Sequence, residues 1–411
     1  MPEASATTLN VRFGISKTWL CAGFVGLAAL VVFSFGLRDE PHFADESAYY
    51  SQSAYADLIV FDRNHQAWLD YAGFDLPPLP KYLIGWSLRA FGHPRPAPST
   101  AWQWYRGTDK RFETPDSLLA ARVPSVIMGV VGCLAIFAFG TIGVDRRVGF
   151  LSSLFLMAEP LYRLHARRAM SDTTAEALML SALAVGLWAW VRFVKGENSS
   201  RVALSSLGSG LFLGLAVLSK LNGVIAGFVL LSWIVLAWCL PTVSSRSRWT
   251  LLFTALVSGA LAFGVFVALN PFLTAHPRGP IEPRLTTPAA MSFVDRVKFL
   301  KDHRVEASRQ GQRLFPHNSL STPLDRCSAV VVQGFGRFGL FGPSHSSSVV
   351  RFDPVQDRGA WIWLPWVVLG GVATVQLGLR QRIRGEPPAA WCLLLHALTA
   401  LATVSAFIPL A

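Results

Sequence analysis

The chain has 411 residues, of which 52% are hydrophobic and only 15% charged, with a net charge of +12 and a sequence pI near 9.9. Soluble domains carry about 25% charged residues, so an ordinary soluble protein is excluded. Basic charge of this size could serve a nucleic acid, but it is dispersed in short groups between long apolar runs, the distribution of a membrane protein.

In chain order the apolar runs read as nine spans, at 19–37, 118–141, 148–161, 173–194, 203–219, 223–241, 250–270, 361–379 and 390–410. The third is short, and the boundary between the fifth and sixth is soft. A helix of ~20 residues crosses a hydrocarbon core of ~30 Å, whereas a barrel strand is about half that length and alternates in polarity. The fold class expected is therefore all-α: a polytopic helical bundle in the membrane. The first run, Trp19 to Leu37, is too long for a signal peptide and lacks a small-residue cleavage site, so it reads as a retained anchor. Cys21, Cys133, Cys239 and Cys392 lie in apolar runs and Cys327 in a loop, which gives no disulfide or zinc pattern.

Arg12/Lys17, Arg146/Arg147, Arg192/Lys195/Arg201, Arg246/Arg248 and Arg380/Arg382/Arg384 fall on one side of the nine-span arrangement. The positive-inside rule makes that side cytoplasmic. The N-terminus is then inside, and two long segments, 38–117 and 271–360, lie outside. The first contains Pro-Pro-Leu-Pro at 77–80 and an apolar stretch, Tyr82 to Phe91, too short to cross and suited to the interface. The organisation expected is a catalytic core over 1–270, an acceptor-side cover over 271–360 and C-terminal spans over 361–411.

Asp45 and Glu46 stand just past the outer end of the first span. Alone, such a pair reads as a helix cap with solvated carboxylates, or as a site at the water–lipid boundary. The charges elsewhere in the chain favour a site. Arg163, His165, Arg167 and Arg168 crowd a short outer turn, Lys220 caps the fifth span, Arg122 opens the second and Lys81 borders the interfacial stretch. Basic residues are disfavoured in short outer loops, so the group implies a compensating anion, and several converging cations suit a phosphate. Asp172 and Glu176 share a helix face at i,i+4 spacing, and Ser171-Asp172-Thr173-Thr174 also reads as a helix start. A carboxylate beside a cationic anion site suits transfer from a lipid-linked phosphate. The phosphate is already a good leaving group, so the chemistry needs cations for its developing charge and one base for the incoming hydroxyl.

Six strings in order carry a resemblance: Asp45-Glu46; Asp75-Leu-Pro-Pro-Leu-Pro-Lys81-Tyr-Leu-Ile-Gly85; Arg122-Val-Pro-Ser125; Asp145-Arg-Arg-Val-Gly149; Arg167-Arg-Ala-Met-Ser-Asp172; and Gly214-Leu-Ala-Val-Leu-Ser-Lys220. Over residues 19–270 the chain resembles the polyprenyl-phosphate-sugar-dependent glycosyltransferases of the GT-C type. Within them it is most similar to the dolichyl-phosphate-mannose–protein mannosyltransferases and the bacterial aminoarabinose transferases. The resemblance implies Asp45 as catalytic base with Glu46 beside it. It implies Lys81, Arg122, Arg167 and Lys220 as contacts to the donor phosphate, and Asp172 in a second acidic position. It further implies a polyprenyl-phosphate sugar donor, an acceptor that is a protein, lipid or glycan, no nucleic acid, and an extracytoplasmic site in a bacterial plasma membrane. Two departures stand out. The family's His before the two prolines is Leu76 here, with His42 and His65 as the nearest outer histidines. The sequence ends Ser-Ala-Phe-Ile-Pro-Leu-Ala411 where relatives continue into a further helix, so a truncated C-terminus is expected.

The sequence identifies no cofactor and no metal ligand set, although two clustered carboxylates can hold a divalent ion. The rival class is a transporter or flippase of a polyprenyl-linked glycan. Such a protein needs charges along a path and usually internal repeats, whereas here the charges collect at one face and no repeat is visible. Transfer of phosphoethanolamine would need a metal-ligand cluster that is missing.

Overall fold

The computed structural model describes residues 15–56, 61–96, 115–197, 199–276, 280–314, 322–331 and 358–407. Arg12, the whole of the segment 332–357 and the terminal Pro409-Leu410 lie outside the described residues. Among those described the chain is helical, with no strand. The elements are α1 (Ile15–Ser34), α2 (Ala44–Gln52), α3 (Pro78–Ala90), α4 (Pro115–Gly143), α5 (Arg146–Ala158), α6 (Pro160–Ala166), α7 (Asp172–Val194), α8 (Ser199–Ser219), α9 (Val224–Cys239), α10 (Ser245–Ala268), α11 (Phe293–Leu314), α12 (Pro323–Val331), α13 (Arg358–Ile383) and α14 (Ala389–Phe407), joined by shorter turns.

Seven helices are long and apolar enough to cross a membrane, and Ala389–Ser405 in α14 is a shorter apolar one. The expected span at 148–161 differs. It forms α5, which has 13 residues and so reaches only ~20 Å before the chain turns at Glu159-Pro160. Pro160 opens α6 as its first residue, where a missing N–H costs nothing. The Asp145-Arg-Arg-Val-Gly149 string is accounted for structurally. Asp145 caps α5 by accepting from the Arg147 and Val148 amides at 2.8 and 2.9 Å, and a Cβ on Gly149 would stand 2.3 Å from Phe137 O of α4.

α4 is the central mast, 29 residues and therefore about 43 Å long at ~1.5 Å per residue. Pro124 lies inside it. Having no N–H, Pro124 leaves the Ala120 carbonyl without its helical donor, and Ser87 Oγ of α3 donates to that oxygen at 2.6 Å. Gly85 lets α3 lie against residues 53–56, since a Cβ there would stand 2.7 Å from Ser53 O. A string read from sequence as Arg-Val-Pro-Ser thus anchors the first loop to the mast.

Two buried clusters fill the bundle: one from α1, α4, α5 and α6 around Phe33 and Tyr162, the other from α4, α7, α9 and α14 around Leu187 and Trp233. Asp172 and Lys220 meet where α7 begins and α8 ends, and the start of α4 lies beside α2. These elements form one end of the bundle, here called the site end. Arg146 and Arg147 lie at the far end of α4.

Candidate active site

The acidic pair splits in role. Glu46 is fully buried and accepts four hydrogen bonds: Arg122 Nε at 2.9 Å, Arg122 Nη2 at 2.9 Å, the Ala169 amide at 2.8 Å and the Phe43 amide at 3.0 Å. The Phe43 bond is the reach-back of a residue at the third helical position, so Glu46 caps α2. Arg122, 2% exposed, gives its remaining hydrogens to Leu37 O, Glu40 O and Pro41 O at 3.0, 2.9 and 3.4 Å. All five guanidinium N–H groups therefore end on the protein. This pair ties α2, the 37–41 turn, α4 and the 167–171 turn into one block.

Asp45, next in the chain, is half-buried at the edge of that block. Tyr49 lies one turn on at i+4 and is buried; its hydroxyl donates to Ser171 Oγ at 2.7 Å. Ser171 therefore does not cap α7 with its side chain. Burial and the nearby charges of Asp172 and Asp45 push the Tyr49 phenol well above its ordinary pKa, which keeps it a donor. Asp172 is in the first turn of α7 and accepts from Lys220 Nζ at 2.6 Å, with the lysine side chain 41% exposed. His165, in α6, faces Asp172, Lys220 and Arg168; burial is the main reason its pKa is lowered.

A second group lies below α3. Lys81 is 1% exposed, its Nζ donates to Gly73 O at 3.2 Å and stands 5.9 Å from the Tyr55 ring centroid. Burial drives its pKa down to about 7; Asp75 pulls the other way and Arg304 adds to the fall. Asp75 accepts from Gln52 Nε2 at 3.1 Å, and His303 Nε2 lies 3.4 Å from its other oxygen. Burial alone would raise Asp75, but those bonds and the Arg304 and Lys81 charges hold it below its ordinary value. Arg304 also acts on Tyr49, so one guanidinium is shared between the Asp45/Asp172 group and the Lys81 group. Its hydrogen bond among the described residues is a long one, 3.4 Å to Phe74 O, and it makes no ion pair there.

Of the four cations expected on one phosphate, Lys81 belongs to the group below α3 and Lys220 pairs with Asp172, while Arg122 is consumed by Glu46. Arg167 donates to Gly36 O and lies 3.5 Å from Glu40, which Arg168 also approaches at 3.8 Å. His42 meets Ser47 at 2.7 Å and His65 packs on Trp68; neither reaches Asp75. The histidine that does is His303, which with Arg304 was not singled out from sequence. The available signal was the i,i+4 and i,i+8 spacing of Arg296, Leu300 and Arg304 on an amphipathic stretch. Arg296 pins that helix by donating to Phe272 O and Ala275 O at 3.1 and 2.6 Å. Among the described residues no three His, Cys, Asp or Glu side chains gather to hold a metal ion.

Residues 114–267 match the family described as dolichyl-phosphate-mannose-protein mannosyltransferase. The archaeal oligosaccharyltransferase AglB from Archaeoglobus fulgidus, in complex with an inhibitory peptide and a dolichol-phosphate, superposes with a TM-score of 0.55 at 15% identity. That alignment covers 96% of this chain and 49% of AglB. The fold is of the GT-C type. A second structure of the A. fulgidus oligosaccharyltransferase, tethered to an acceptor peptide, gives 0.52 at 15% identity, covering 95% and 48%. The S. cerevisiae protein O-mannosyltransferase Pmt1–Pmt2 complex bound to the sugar donor gives 0.47 at 18% identity, covering 62% and 33%. The chain thus spans about half the length, or less, of these proteins. No curated protein matches its sequence.

Proposed function

We propose that the chain is a glycosyltransferase that moves a sugar from a polyprenyl-phosphate donor to an acceptor hydroxyl by inverting single displacement, at the extracytoplasmic face of a bacterial plasma membrane. The observation that carries this is the division of the acidic pair. Glu46 is locked into the protein, which leaves Asp45 half-buried one turn before Tyr49, whose phenol feels the charges of Asp45, Asp172 and Arg304. The family match over 114–267 and the fold support a lipid-phosphate donor, as does the dolichol-phosphate held by AglB.

In this reading Asp45 takes the proton of the acceptor hydroxyl as it attacks the anomeric carbon. The phosphate leaves on the opposite side, its charge met by Lys220, Lys81 and Arg304. Arg122 leaves the anion-binding set and serves with Glu46 to hold Asp45 in place. Tyr49 sets the spacing between α2 and the start of α7. Arg304 enters from α11, consistent with the 271–360 segment covering the site and the core ending near 270.

Asp45→Asn keeps the shape and removes the basicity. Membranes carrying it, given a panel of radiolabelled polyprenyl-phosphate sugars, should label the acceptor ~10²–10⁴-fold more slowly with the donor KM little changed. Near-normal transfer would move the base to Asp172, because Glu46 already accepts four hydrogen bonds from the protein.

A further inference from the structure

A cavity of about 380 Å³ lies between α6, α7, α9 and α14, on the side of His165 and α7 and without Lys81 or Asp75 in its lining. Its walls are mostly apolar, with Met179, Leu183 and Val229 among them, yet Glu159, His165, Glu176 and His396 line it from different elements. Glu159 spends one oxygen on the Tyr162 amide, at 2.5 Å, as the cap of α6. Its Oε1, His165 Nδ1 and His396 Nδ1 are enclosed with no hydrogen-bond partner among the described residues. Glu176 is near enough to Glu159 for the two carboxylates to repel. Lys220, whose charge also acts on Glu176, is hydrogen-bonded to Asp172 at 2.6 Å and not to either of these carboxylates among the described residues. Buried polar atoms are normally satisfied, and three orphans around one cavity mark a missing occupant. Two carboxylates in an apolar chamber ask for a cation, and the hydrocarbon walls ask for an apolar body.

We propose that this cavity binds an amphiphile bearing a protonated primary amine. The ammonium, with three N–H donors, bridges Glu176 and Glu159 Oε1, and the chain lies against the Met179 and Val229 walls. The amine could belong to an ethanolamine lipid headgroup or to another membrane-soluble amine. This inference does not rest on the transferase reading.

The test is thermal unfolding of the purified full chain in neutral detergent, titrated with octylamine and with octanol, which has the same tail and no charge. Octylamine should raise the unfolding midpoint to saturation, and octanol should not. Glu176→Gln and Glu159→Gln should each weaken the octylamine response ~10–100-fold, the worth of one charge-assisted bond. Their ligand-free midpoints should change little, since glutamine keeps the size of each side chain and an oxygen that accepts, as Glu159 does from the Tyr162 amide. Repeating the scan in phosphatidylcholine bilayers with and without phosphatidylethanolamine identifies the source. A rise that depends on both Glu176 and the ethanolamine lipid assigns the headgroup, and a rise with octylamine alone assigns another amine. Equal responses to octylamine and octanol, no response to octylamine, or a response that survives both substitutions would overturn the proposal.

Discussion

The Glu46–Arg122 pair separates a structural arginine from a phosphate-binding one. Glu46→Gln leaves a guanidinium that is 2% exposed without its counter-charge, while its five hydrogens still occupy the same pocket. Breaking a buried ion pair from one side costs ~3–5 kcal/mol, because the surviving charge cannot be resolvated. Arg122→Met should cost a similar amount, since Leu37 O, Glu40 O and Pro41 O lose their donors together with Glu46. Both singles destroy the same contact, so the double variant should be more stable than additivity predicts, by ~1.5–3 kcal/mol. The assay is reversible unfolding in mixed micelles titrated with a denaturing detergent, on wild type, both singles and the double. A donor KM measured on the folded fraction completes it, and it should be nearly unchanged for Arg122→Met. Additive effects within ~0.5 kcal/mol, or an unaltered unfolding curve with a strongly raised donor KM, would place Arg122 on the donor and remove its structural role.

Lys81 gives a pH signature with two signs. The lysine keeps its proton up to about 10.5 when unfolded but only to about 7 when folded, so between those values the unfolded state binds more protons and stability should rise with pH. An anion prefers the charged lysine, so donor affinity should be full below pH ~7 and fall by up to tenfold per unit above it. Lys81→Met should flatten both profiles, as read by unfolding midpoints and donor KM; a wild-type donor profile flat from pH 6 to 9 would contradict the role. Arg304→Met should raise the donor KM ~10-fold or more with little loss of stability, because its bond to Phe74 O is long, and unchanged donor use would remove it from the site. Tyr49→Phe deletes the bond to Ser171 and should lower kcat without changing donor KM; a purely KM effect would instead put Tyr49 on the donor.

The bundle was legible because its signal is redundant. Each apolar run carries many residues that agree; two differ, the run at 148–161, which breaks at Glu159-Pro160 after thirteen helical residues, and the last one, which forms a shorter apolar helix. Asp45, Asp172 and Lys220 stand out in the sequence because ionisable residues at a membrane boundary are rare, and the structure pairs two of them, Asp172 and Lys220. Arg122 and Glu46 were visible as residues but not as partners. Sequence gives sidedness and order, whereas pairing across 76 positions is a property of packing. Arg304 was hidden for another reason. It stands among seven basic side chains on one amphipathic helix, and only the Arg296 anchor and the His303–Asp75 contact pick out which of them faces inward.

Pro124 reverses the usual expectation for a proline within a helix. Replacing it with alanine restores an amide that competes with Ser87 for the Ala120 carbonyl. The mast would gain an internal bond, and its neighbour would lose part of its mooring. A change that improves one helix would thereby loosen α3, and with it the seat of Lys81. The imino acid acts here as a lateral fastener, whose value is read in the adjoining segment and not in the helix that contains it.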